Sequence, residues 1–303
     1  MNISIGQKNK GISLTLVAWA AALLVSLLPD ILFRELSSSL PAWLFWAKVG
    51  LSSAFLISSL VVTHFRPLRQ FFMVLLVVQL LEWGVNQFYQ SLSYASWLTR
   101  ANPFVRSLAA VQIPRLTSSI LLVMIMLVIF RQFGKFFLVK GKLDATAAPI
   151  PLITSKPSNW RILGPVIAGA MCVGLVVFTL AFGSLPTLKS LRIALPLLPW
   201  VPVFALVNSF GEEMLYRAPW LGALESPVGA VQALLITAVF FGVGHFYGVP
   251  YGIAGVILAF IPGWLIGKSM LETRGFTWAW FIHFCMDVTV FFFIALGSVT
   301  PGG

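Results

Sequence analysis

The stretch Gly211-Glu212-Glu213-Met214-Leu215-Tyr216-Arg217 closes an apolar run that begins near Leu195. Two adjacent carboxylates and an arginine stand where the surrounding residues are those of a membrane span. A charged side chain at the centre of a bilayer costs roughly 2.5–3.5 kcal/mol on insertion scales, so such residues mark functional sites by default. The sequence around them must therefore supply both a membrane-embedded fold and groups that answer the charge.

Composition agrees with the membrane reading. The chain has 303 residues, 59% hydrophobic and 10% charged, with a mean hydropathy of +0.94. Soluble domains carry about 25% charged residues, and apolar segments of about 20 residues are what spanning helices need. Nine candidate spans are legible: 12–28, 42–63, 71–89, 116–130, 162–182, 195–221, 228–247, 251–266 and 276–296. The expected fold is all-α, a polytopic transmembrane helix bundle of about eight or nine spans, with a catalytic core in its C-terminal half. Three segments follow: N-terminal helices over 1–130, a polar cytoplasmic connector over 131–161, and a core over 162–303.

The net charge of +11 does not point to nucleic acid, because the basic residues lie in short loops between apolar runs. Lys8 and Lys10, Arg66 and Arg69, the connector, and Lys268 with Arg274 fall on one face if alternate loops share a side. By the positive-inside rule that face is cytoplasmic, with the N-terminus inside, while Arg100, Arg106 and Arg115 oppose the pattern. The expected location is a bacterial-type cell (inner) membrane, with membrane lipids as partners and no nucleic acid. Cys172 and Cys285 both sit in apolar runs, which indicates neither a disulfide framework nor a thiolate metal site.

On a helix, Glu213 and Arg217 are four apart with the acid first, the favourable order for an ion pair. Glu212 then points elsewhere, free to face a cavity. The plainer alternative is a topology anchor, with Arg217 reaching lipid headgroups. His245 ends the run Phe240-Phe241-Gly242-Val243-Gly244 deep in the seventh span, and taken alone it reads first as a packed, hydrogen-bonded histidine. His283 and Asp287 are also four apart, so Asp287 can fix the tautomer of the His283 ring, or the pair can simply join two helices. Gly263 and Gly267 have the small-residue spacing of closely approaching helices.

Taken together, these groups favour a shared polar cavity, because burying them apart is expensive. A carboxylate and an imidazole around one water form a general base able to attack a carbonyl. A second imidazole with a polar neighbour can stabilise the oxyanion. Neither a serine elbow nor a P-loop is present. Zinc bound by Glu212, His245 and His283 is the less favoured arrangement, since the usual His-Glu-x-x-His spacing is missing.

Glu212-Glu213-x-x-x-Arg217, Phe241-x-x-x-His245, Phe260-x-x-Gly263-x-x-x-Gly267 and His283-x-x-x-Asp287, in this order, resemble the four motifs of the CPBP (CAAX protease and bacteriocin-processing) intramembrane proteases. That family includes the type II CAAX prenyl endopeptidases. The resemblance covers about 195–296. It implies an intramembrane endopeptidase, without cofactor, acting on a peptide or lipidated protein. Glu212, assisted by His245, would activate water. Glu213 and Arg217 would shape the site, and His283 with Asp287 would bind the oxyanion. The family often has Asn at the position of Asp287, and an ionised Asp cannot donate a hydrogen bond, so Asp287 can instead orient His283. Two other functions share these residues: a proton-coupled transporter, and a catalytically silent scaffold or immunity protein of the same fold.

Overall fold

The computed structural model describes residues 5–91, 102–151, 154–183 and 186–299, so Arg100 lies outside the described residues. The helices are α1 (Ile5–Val25), α2 (Leu28–Ser37), α3 (Leu44–Val61), α4 (Arg69–Ser91), α5 (Pro103–Phe130), α6 (Trp160–Phe182), α7 (Leu188–Ala194), α8 (Trp200–Tyr216), α9 (Ala218–Val228), α10 (Ala230–Gly244), α11 (Ile253–Thr273) and α12 (Thr277–Gly297). Among the described residues, six helices are long and apolar enough to cross a membrane, or up to eight if each bent pair is one span. The chain is an all-α polytopic helix bundle and an integral membrane protein. On α6, Ile162, Val166, Val173 and Val177 are 57–65% exposed, an apolar stripe that lipid, not water, must cover.

Several boundaries differ from those read in the sequence, each for a local reason. The fourth span starts at Pro103, not 116: Asn102 caps it by accepting from the Phe104 amide at 2.9 Å, and Pro103 suits the first turn. Arg106 and Arg115 are therefore helical, not loop residues. The sixth span is broken: a 3-10 turn over Leu195–Leu197 precedes α8, and α8 stops at Tyr216. Pro219 cannot continue a helix laid through Leu215, so the chain restarts as α9. The seventh span ends at Gly244, which puts His245 at the helix terminus and not deep within it.

The residues form two compact units, each assembled from three stretches, so neither coincides with the division at 131–161. Met1–Leu80, Gln132–Leu138 and Tyr216–Leu271 make the first. Within it, α1 packs on α3, α9 and α10. The segment 132–138 buries Phe136 and Phe137 and runs against Gly222 of α9, where a β-carbon would lie 2.5 Å from the Lys135 carbonyl oxygen.

Leu81–Arg131, Val139–Leu215 and Glu272–Gly303 make the second unit. Its core joins Phe104 and Ala109 of α5, Val201, Phe204 and Ala205 of α8, and Phe291 and Ala295 of α12. Here the polar connector is docked and not a free linker. A two-residue antiparallel pair, β1 (Thr146–Ala147) with β2 (Ser158–Asn159), folds it back on itself. The Phe276 amide donates to the Val139 carbonyl, and the Lys142 amide to that of Thr273, both at 2.8 Å. Glu272 accepts from the buried Trp160 indole at 2.9 Å and from the Ala148 amide at 3.3 Å. Gly141 and Gly275 cross so closely that a β-carbon on Gly275 would lie 2.3 Å from the Gly141 Cα.

Candidate active site

Three helices of the second unit converge on one polar cluster. From α8 come Asn208, Glu212 and Glu213, from α12 His283 and Asp287, and from α5 Gln112 and Arg115. All but Arg115 are buried, Glu213 completely. Asn208 and Glu212 are one turn apart on α8, as His283 and Asp287 are on α12, so each helix presents a pair on one face. Gly211 lets α5 approach: a β-carbon there would sit 3.1 Å from Arg115 Cγ.

Arg115 Nη1 donates to Glu212 Oε1 at 2.7 Å and to Asn208 Oδ1 at 2.6 Å. Gln112 Nε2 also donates to Asn208 Oδ1, at 2.8 Å, and Asn208 Nδ2 donates to Asp287 Oδ2 at 3.0 Å. The His283 ring lies 2.7 Å through Nδ1 from Glu213 Oε1. An ionised carboxylate only accepts, so Nδ1 carries the proton. Nε2 lies 3.5 Å from Glu212 Oε2 and 3.6 Å from Asp287 Oδ1, beyond hydrogen-bond length, and pairs with them only when the ring carries both protons.

This geometry bears on three sequence expectations. Asp287 does not set the His283 tautomer; Glu213 does, and Asp287 accepts from Asn208 instead. Glu213 and Arg217 do not share a helix, because α8 ends between them. Glu212, expected to be the carboxylate without a partner, is answered by Arg115. Sequence reading missed Arg115, Asn208 and Gln112. Arg115 reads as a loop cation in the sequence, because Pro114 beside it suggests a break in the helix.

The other motif residues gather in the first unit. The Arg217 guanidinium lies 4.6 Å from the centre of the Phe241 ring, a cation–π geometry. Gly263 and Gly267 leave the room for it: β-carbons there would meet Phe241 at 3.1 Å and Leu234 at 2.6 Å, with Arg217 at 3.5 and 3.7 Å. The glycine spacing thus brings α11 onto α10, as small-residue spacing predicts. One turn past Phe241, the half-buried His245 donates through Nδ1 to the Phe241 carbonyl at 2.9 Å. A carbonyl can only accept, so Nδ1 carries a proton, and in the neutral ring Nε2 is the nitrogen with the lone pair.

Among the described residues, no group of three or more His, Cys, Asp or Glu side chains is disposed to hold a metal ion. Arg115 beside Glu212 puts a positive charge where zinc would need only donors, so this donor set does not suit a zinc ion. Cys172 and Cys285 are free thiols, and Cys172 donates weakly to the Cys285 carbonyl at 3.3 Å.

No curated protein and no solved structure matches the chain. A family model does match, over 194–289, a stretch that contains all four motifs and excludes Gln112 and Arg115. A match of this kind implies a membrane endopeptidase in general terms. Over these residues the chain matches the model of the type II CAAX prenyl endopeptidase Rce1-like family.

Proposed function

We propose that the chain is an intramembrane endopeptidase that hydrolyses a peptide bond in a membrane-associated or lipidated protein, prenylated CAAX-type chains included. Glu212 with His245 activates the water, and no cofactor is used. The observation that supports this most directly is the buried Glu212–Glu213–His283–Asp287 cluster lying within the family-matched stretch.

Water oxygen attacks the carbonyl carbon, Glu212 accepts its proton, and the carbonyl π pair moves onto oxygen. As the C–N bond breaks, the proton passes to the leaving nitrogen. A carboxylic acid and an amine result, without a covalent enzyme intermediate. Arg115 offsets the charge that Glu212 carries at membrane depth. The assisting role of His245 is carried over from the family motif; within the first unit its Nδ1 is committed to Phe241, which leaves Nε2 for that role. His283 stands beside the oxyanion, positioned by Glu213.

The test is cleavage of a prenylated CAAX-type peptide by purified full-length protein in detergent, alongside Glu212→Gln and His245→Ala. Turnover by the wild type that both substitutions abolish supports the protease. Proton-linked flux in liposomes without any cleavage would replace it with a transporter.

A further inference from the structure

Hydrolysis by activated water puts negative charge on the carbonyl oxygen, and donors held in advance at that point supply much of the acceleration. The cluster in the second unit is rich in acceptors and short of donors. Glu212, Glu213 and Asp287 cannot donate when ionised. The His283 Nδ1 proton is already given to Glu213. The donor that stands out is the Asn208 side-chain amide.

We propose that Asn208 donates to the oxyanion, beside His283, with its amide aimed by Asp287, Gln112 and Arg115. The inference deepens the proposed hydrolysis and rests on it. Three observations carry it. First, the amide cannot flip: Oδ1 accepts from both Gln112 and Arg115, while Nδ2 faces the Asp287 carboxylate. Reversal would set two hydrogens against two donors and an oxygen against a carboxylate. Second, Nδ2 has two hydrogens, and Asp287 takes one; among the described residues the second has no partner although Asn208 is only 7% exposed. Buried donors are rarely left so.

Third, Asn208 stands next to the base. The same Arg115 nitrogen touches Glu212 and Asn208, at 2.7 and 2.6 Å, and the two residues lie one turn apart on α8. Asn208 and Glu212 thus share one partner and one helix face, and in this proposal the oxygen of a carbonyl attacked by water on Glu212 is met by Nδ2. Two rival donors stand nearby: Arg115, whose Nη1 is committed to Glu212 and Asn208, and Gln112, which braces Asn208. In this scheme Asp287 polarises and orients a donor that it cannot itself be.

The experiment compares Asn208→Ala, Asn208→Asp, Asp287→Asn and the exchange Asn208→Asp/Asp287→Asn in the full chain, using the peptide-cleavage assay and thermal unfolding in detergent. Loss of an oxyanion donor lowers kcat about 10²–10³-fold, so Asn208→Ala is expected to fall about a hundredfold in kcat with KM changed less than about threefold. Asn208→Asp is expected to be as poor. The exchange restores one carboxylate and one amide, and is expected to regain at least about tenfold over Asn208→Asp. A merely structural asparagine would not give that recovery together with an unchanged KM. Wild-type kcat in Asn208→Ala overturns the proposal, as does a folded exchange variant no better than Asn208→Asp. Should Asn208→Ala fail to fold, the exchange against Asn208→Asp decides alone. A wild type that cleaves nothing instead defeats the protease reading itself; a wild type silenced by Glu212→Gln but indifferent to Asn208→Ala defeats this inference only.

Discussion

Arg115 of α5 donates to the Glu212 carboxylate of α8 at 2.7 Å, so the charge that marks the site is met from a part of the chain that the family match does not reach. The partner of Glu212 is found only when the chain folds back on itself, 97 residues away in sequence.

Removing that partner leaves a buried carboxylate without its cation. Arg115→Ala is expected to cost about 3 kcal/mol, the low end for breaking a buried ion pair, because the Arg115 side chain keeps 24% exposure. Denaturant unfolding in mild detergent measures it. Arg115→Ala/Glu212→Gln should recover much of the loss, since the second change removes the orphaned charge. Equal destabilisation in the single and double variants would show that the pair contributes little.

The His283–Glu213 contact predicts a difference between two substitutions at one position. A glutamine at position 213 still offers an oxygen to His283 Nδ1, whereas an alanine does not. Glu213→Gln is therefore expected to keep most of its activity, and Glu213→Ala to lose roughly a hundredfold in kcat, within the usual range for a disturbed acid–base group. Nitrogen chemical shifts of the His283 ring follow the tautomer directly. An unchanged ring spectrum in Glu213→Ala would argue against Glu213 as the group that fixes it.

In the first unit, the Tyr251 hydroxyl, in the loop between α10 and α11, donates to Glu35 of α2 at 2.5 Å. This bond, then burial and the nearby negative charge, push the phenol up to about 12 from its ordinary value near 10. The folded value is raised, so the stabilisation is complete below about pH 10 and disappears as pH rises through 12. At pH 11 a tyrosine without such a partner is largely phenolate, whereas Tyr251 should remain mostly neutral. Ultraviolet difference titration of wild type against Tyr251→Phe reads this. Glu35→Gln should bring the titration back toward 10, and a Tyr251 phenolate already formed at pH 10 in the wild type would contradict the pairing.

The membrane fold was legible because apolar runs and their lengths are local properties. The acids and histidines of the site were legible because charge inside such runs is conspicuous. Asn208 escaped notice for the opposite reason: a neutral amide in an apolar run carries little signal, and its importance comes from Asp287 on another helix. Arg115 was masked by the adjacent Pro114, which suggests a loop but is accommodated within α5. The Glu213–Arg217 spacing spans a helix end, at Tyr216, that the sequence marks only by Pro219. His245 was placed too deep because its apolar neighbours continue past the last helical residue, Gly244.

The clasp between the connector and the end of α11 with its turn into α12 makes the polypeptide divisible. On one side of the β1–β2 pair, Val139 and Lys142 hold to Phe276 and Thr273; on the other, Trp160 holds to Glu272. A backbone cut between the two strands severs none of these bonds. Two fragments, produced together and parted at that point, retain the bonds needed to find each other as a split protein. Each half can then be labelled separately while the α5, α8 and α12 groups reassemble.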